Sequence, residues 1–185
     1  MLNVYRADAV DITQNFFAIY GLPEAYRIDL NDLARRYREL QREVHPDRFA
    51  DRSEREQRIS MQWSTYINQG LDTLKSPVRR AEYLLHLRGF DVDAEHKTTS
   101  DSTFLMRQIE LREELAEVAE QPDPEVALDT LAAHVNALLA RLEGEFETCF
   151  AAADFVAALA VVEKLHFITK LQYEIDQLEA RLLDY

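Results

Sequence analysis

Residues 45–47 read His-Pro-Asp, an imidazole and a carboxylate held two positions apart by a proline. Such a pair can move a proton, ligate a metal, or offer a donor and an acceptor to another protein. Proton transfer in catalysis needs a nucleophile and oxyanion donors close by, and none lies near in the sequence. A metal site needs further ligands at suitable spacing. His86, His96, His134 and His166 are dispersed, and Cys149 is the one cysteine, so no CxxC or HExxH pattern exists. No GxxxxGK[ST] or GxGxxG run marks a nucleotide site. We therefore expect no catalytic residue, no metal and no cofactor, and read His45, Pro46 and Asp47 as a contact point for another protein rather than as part of an enzyme.

The elements around the triplet support an exposed bend. Leu33, Tyr37, Leu40 and Val44 recur at steps of four, three and four, which predicts a helix over 30–44 with Asp29 as its N-cap. Proline lacks an N–H and crowds the preceding turn, so this helix stops before Pro46. Arg35, Arg38 and Arg42, with Arg36 beside them, share the face away from the apolar stripe, and Arg48 follows the triplet. After a loop over 45–52, Ser53 and Glu56 form a capping box for a longer helix marked by Ile59, Trp63, Tyr66, Ile67, Leu71 and Leu74. A short helix over 14–20 precedes all this and stops at Gly21 and Pro23. Ser76-Pro77 ends the long helix and opens a shorter one to Leu87, closed by Arg88-Gly89.

Residues 89–100 hold no sustained periodicity and read as a linker. Beyond them, Asp101 or Ser102 caps a helix to about Glu120, and Gln121-Pro122-Asp123-Pro124 is a break. Leu128, Leu131, Val135, Leu138, Leu142 and Cys149 mark a long helix, with Cys149 expected as a buried packing residue. After a turn near 151–153, Phe155, Leu159, Val162, Leu171, Ile175, Leu178 and Leu182 mark the last one. Three apolar-seamed helices make a small bundle. The fold expected is all-α, with no strand and no internal repeat: a lead-in over 1–14, a first domain over 15–88, the linker, and a bundle over 101–185.

Charge divides the chain in the same way. Residues 1–87 hold thirteen Lys/Arg and thirteen Asp/Glu, whereas residues 88–185 hold eight and twenty-one, the whole of the net charge of −13. Two modules with different partners are implied. Nucleic acid is disfavoured, since an acidic chain repels phosphates. No run of eighteen apolar residues offers a membrane span, the first residues lack a signal-peptide core, and a single cysteine suits a reducing cytosol.

The helix expected over 101–120 has one apolar face too many. Phe104, Leu111, Leu115 and Val118 step by seven, four and three and would bury against the other two helices. Leu105, Met106 and Ile109 project elsewhere, beside Glu110, Glu113 and Glu117. A helix buried on one side should be polar on the other. An apolar group next to a carboxylate row has the make-up of a protein-binding surface, or of a face packed on the first domain.

A basic helix face that ends at an exposed His-Pro-Asp resembles the J-domain, the module that activates ATP-dependent heat-shock chaperones. The run from Leu40 to Phe49 carries this likeness, and Phe16 to Pro23 resembles that module's first helix and exit turn. Arg48 stands where lysine is more usual. The run from Phe104 to Leu115 after such a domain resembles the HscB family of iron–sulfur cluster co-chaperones, as do Arg80–Leu85 and Lys164–Leu171. The likeness covers about 15–185. It implies that His45, Pro46, Asp47, Arg35, Arg36, Arg38, Arg42 and Arg48 engage an HscA-type chaperone. It implies too that Leu105, Met106, Ile109, Glu110, Glu113, Glu117 and Phe167 hold an IscU-type scaffold in the bacterial cytosol. Arg107, where an acidic residue is common, and His166, where a basic one is, depart from the pattern and would retune scaffold binding. A general J-domain protein delivering unfolded clients to a DnaK-type chaperone is the rival, although the Gly/Phe-rich linker and CxxC repeats such proteins carry are missing here.

Overall fold

The computed structural model describes residues 14–91 and 101–183. The lead-in, apart from Gln14, and most of the 89–100 linker lie outside the described residues. Among these residues there are seven α-helices and no strand: α1 (Phe16–Ile19), α2 (Leu30–Val44), α3 (Glu54–Lys75), α4 (Pro77–His86), α5 (Ser102–Glu117), α6 (Pro124–Ala151) and α7 (Phe155–Leu183). Short 3-10 turns cover Pro46–Phe49 and Val118–Glu120. The chain divides into two compact units, 1–80 and 81–185, so the division falls within α4.

In the first unit α2 and α3 form an antiparallel hairpin. Its pairing is read from Tyr37 and Gln41, which both donate to Asn68 Oδ1, and from Ser60, whose hydroxyl donates to the Val44 carbonyl at 2.6 Å. Both helices start as the sequence requires. The Asp29 carboxylate accepts from the N–H groups of Asn31 and Asp32, and Ser53 and Glu56 close a reciprocal capping box. The aromatic residues of α1 and its exit turn, Phe16, Phe17 and Tyr20, are buried, and the Tyr20 hydroxyl donates to the Ile67 carbonyl at 2.6 Å. Burial pushes the Tyr20 phenol well above its usual range, so it stays a neutral donor.

Two glycines make this docking possible. A Cβ on Gly70 would lie 3.0 Å from the rings of both Phe16 and Tyr20, so a side chain there would have to push those rings back by a few tenths of an ångström. Gly21 has φ +60, and Arg36 crosses it to donate to the Tyr20 carbonyl at 2.8 Å. At the far end of α3 the buried Arg80 donates to the Leu74 carbonyl at 2.6 Å and lies over the Tyr26 ring.

The second unit is built on the long antiparallel pair α6–α7, with α5 packed across both. Its core holds Phe104 and Leu111 of α5, Leu128, Leu131, Val135, Leu142 and Phe146 of α6, and Val162, Leu165, Ile168, Leu171 and Ile175 of α7. The α6–α7 turn reverses through Ala153 at φ 57, and the Asp154 carboxylate then accepts from the Ala157 N–H at 3.0 Å. Asp101 caps α5 by accepting from the Phe104 N–H at 3.0 Å and ties it to α7 through Lys164 at 2.7 Å. The lysine holds the Asp101 carboxyl below its usual range.

The three-helix bundle is the one expected, with local differences. The α5 helix stops at Glu117 and tightens to a 3-10 turn that buries Val118. Leu115, Leu138, Leu159, Leu178 and Leu182 are half-buried rather than core. Cys149, expected to be buried, is also half-buried. In α3 the buried stripe is Ser60, Ile67, Gly70 and Leu74, while Ile59, Trp63, Tyr66 and Leu71 are half-buried.

Candidate functional site

The α2 helix ends at Val44, and His45 takes the extended conformation (φ −57, ψ 129) that a following proline imposes. The last carbonyls of a helix lack partners within it. Here the Arg48 guanidinium donates to the Arg42 carbonyl at 3.0 Å and Ser60 closes the Val44 carbonyl. Gln57 of α3 donates to the carbonyls of Ala50 and Arg52, at 3.0 and 3.1 Å. The loop is thus braced from both helices while the side chains of His45 and Asp47 stay outside. The His45 side chain is 53% exposed and that of Asp47 89%.

The geometry orients the imidazole. His45 Nδ1 accepts from the Asp47 N–H at 3.3 Å, so the neutral ring carries its proton on Nε2 and turns a donor outward. The same Nδ1 lies 3.5 Å from Asp47 Oδ2. In the neutral form the bend presents one outward N–H donor and one carboxylate acceptor.

The basic residues of α2 divide into two pairs. Arg36 is half-buried, ion-paired to Asp32 at 2.8 Å and bound to the Tyr20 carbonyl, so it is part of the framework. Arg35 is exposed but pairs with Asp32 and with Glu39. The Asp32 carboxyl, hydrogen-bonded first by Arg36 and then by Arg35, is held below its usual range, and the Arg35 guanidinium above its own. Arg38 and Arg42 are exposed and make no ion pair among the described residues. The positive charge left open on α2 therefore sits at these two positions, on the half of the helix nearer the bend.

On α5, Met106 and Ile109 are 59% and 52% exposed, with Glu110, Glu113 and Glu117 exposed around them, and Leu105 half-buried at one edge. Phe167 of α7 packs against the same helix. Its ring meets Phe104 edge-on at 6.1 Å between centroids, and the Arg112 guanidinium covers it at 5.4 Å. Arg107 points the other way, toward α6. It pairs with Glu110 at 2.8 Å and Glu114 at 3.6 Å, and its Nη2 meets the His134 ring, 2.7 Å from Nε2. His166 lies on a different face, 2.6 Å from the Glu82 carboxylate of α4.

Comparison with known proteins places this arrangement. A family model described as the HSCB C-terminal oligomerisation domain matches residues 100–176. The structure of chaperone HscB from Vibrio cholerae is 38% identical and superposes with a TM-score of 0.84, covering 91% of this chain and 99% of that one. The chain belongs to the HscB family.

Human co-chaperone HscB is 29% identical, with a TM-score of 0.84 over 92% of this chain and 85% of that one. The Jac1 co-chaperone of Saccharomyces cerevisiae, 24% identical, shares the fold with a TM-score of 0.68, over 88% and 94% of the two chains. Within the HscB architecture, the ties the sequence left unseen are mostly long-range: Ser60 to the Val44 carbonyl, Glu82 with His166, and Arg107 with His134, besides the nearer bracing of the bend by Gln57. Arg107 and Glu110 stand three positions apart on one helix, as their ion pair needs, but nothing local could bring in a histidine of α6.

Proposed function

We propose that this HscB-family chain is a co-chaperone of iron–sulfur cluster assembly that performs no chemistry of its own. The functional modules are residues 15–88, a J-domain, and 101–185, a scaffold-binding bundle, working in the bacterial cytosol. Arg38 and Arg42 steer the first module to an acidic surface of an HscA-type chaperone, which mainly raises the on-rate. His45, Pro46 and Asp47 then favour the chaperone's hydrolysis-competent state, with the Nε2 proton and the Asp47 carboxylate as the groups offered. The exposed Met106 and Ile109, with half-buried Leu105, the neighbouring carboxylates and Phe167, hold an IscU-type scaffold. Two modest contacts on one chain raise the scaffold's effective concentration at the chaperone.

The observation that carries this reading is the pairing of a braced, solvent-facing His-Pro-Asp bend with a separate apolar–acidic helix face. Titrating the purified protein with an IscU-type scaffold tests it. Replacing Leu105, Met106 and Ile109 together by Ala is expected to weaken binding by about tenfold or more, as removal of central apolar anchors does. Unchanged affinity in that variant, or capture of mixed unfolded chains in place of the scaffold, would favour general client delivery instead.

A further inference from the structure

The carboxylates on the outer face of α5 are not equivalent. Glu113 and Glu117 are exposed and make no ion pair among the described residues. Glu110 is exposed as well, but the Arg107 guanidinium lies 2.8 Å from its Oε2 and 3.6 Å from Glu114. Arg107 itself is only 30% exposed, and its other nitrogen is held against the His134 ring of α6, 2.7 Å from Nε2. A guanidinium is a planar fork, so the ring and the two carboxylates fix it in one place with little further loss of side-chain freedom.

From this geometry we infer that Arg107, positioned by His134, is a specificity-determining residue of the α5 face: it screens Glu110 and Glu114 and so sets how strongly that face attracts a basic partner surface. The inference rests on the scaffold-binding reading above and names the partner's charge. Glu110, Glu113, Glu114 and Glu117 outnumber Arg107 and Arg112 along this stretch of helix, and Arg112 is turned to Glu174 of α7 at 3.5 Å, so the complementary surface is basic. Arg107 competes with that surface for Glu110. The contest is between exposed ions, so its scale is a few-fold in affinity.

The test is a double-mutant cycle on the full chain, titrated with a purified IscU-type scaffold at low and high salt. Arg107→Gln is expected to tighten binding by up to about fivefold at low salt, with the gain shrinking as salt screens it. Glu110→Gln should change little in the native background and weaken binding in the Arg107→Gln background. Arg107→Lys, which keeps a charge beside Glu110, should stay near the native affinity, and this separates screening from a loss of helix packing. The proposal is overturned if Arg107→Gln leaves affinity unchanged or lowers it, if Arg107→Lys tightens binding as much as Gln, or if Glu110→Gln costs the same in both backgrounds. Met106→Ala with Ile109→Ala is run in parallel. If that pair leaves affinity intact, the scaffold-binding reading falls and takes this one with it. If it weakens binding while the cycle shows no coupling, only the role of Arg107 is overturned.

Discussion

At the scale of single residues, the chain separates side chains that hold the fold from those left exposed to solvent. Gly21 and Arg36 belong to the first kind. A methyl at Gly21 would sit 2.7 Å from Arg36 Nη1, at a φ of +60 that L-residues rarely adopt. The backbone term alone costs about 1–2 kcal/mol. Gly21→Ala should therefore lower the urea midpoint of the protein, and a midpoint equal to the native one would remove the structural role given to this crossing. The exposed set was legible in the sequence, because Pro46 and the flanking helices alone put His45 and Asp47 on a bend. The division of the arginines was not. Arg35, Arg36, Arg38 and Arg42 look alike on a helical projection, and only the fold shows Arg36 reaching back to Tyr20.

At the scale of elements, caps and periodicity fixed most of the boundaries. Asp29 and Ser53 with Glu56 stand as the N-caps expected, Asp101 rather than Ser102 caps α5, and Asp123 caps α6 from a segment expected only as a break. Each supplies an acceptor where the first turn lacks one. Stripe membership was less legible in α3. Ser60 and Gly70 are buried there because one feeds a carbonyl of α2 and the other yields space to α1, neither of which is a hydrophobic signal. The Asp101–Lys164 tie makes a pH-dependent contribution. Its carboxyl is depressed from the ordinary 3.8, mainly by the lysine, so the stability it adds is present above that value and is lost as pH falls through the lower native one. Asp101→Asn keeps a capping oxygen and removes the charge. The variant should be less stable than the native protein at pH 7, and the gap should close in strong acid. A gap independent of pH would show that the tie contributes no charge term.

At the scale of the molecule, the chain carries one locally basic helix face and one acidic unit, an asymmetry plain from the sequence. No helix among the described residues is long and apolar enough to cross a membrane. If Arg38 and Arg42 are the open charges that steer the first unit, then Arg38→Ala with Arg42→Ala should slow association with an HscA-type chaperone several-fold at low salt. Native and variant rates should converge as the Debye length shrinks below about 10 Å. Rates that differ equally at all salt concentrations would assign these arginines to direct contact instead.

The most direct measurement of all is the ATPase rate of an HscA-type chaperone with saturating native protein and with His45→Gln. The imidazole lies outside the core, so the substitution should shift stability by no more than about 0.5 kcal/mol, and the melting curve serves as the control. The expected result is loss of stimulation by a protein that is still fully folded. Undiminished stimulation by His45→Gln would contradict the claim that this bend is the trigger.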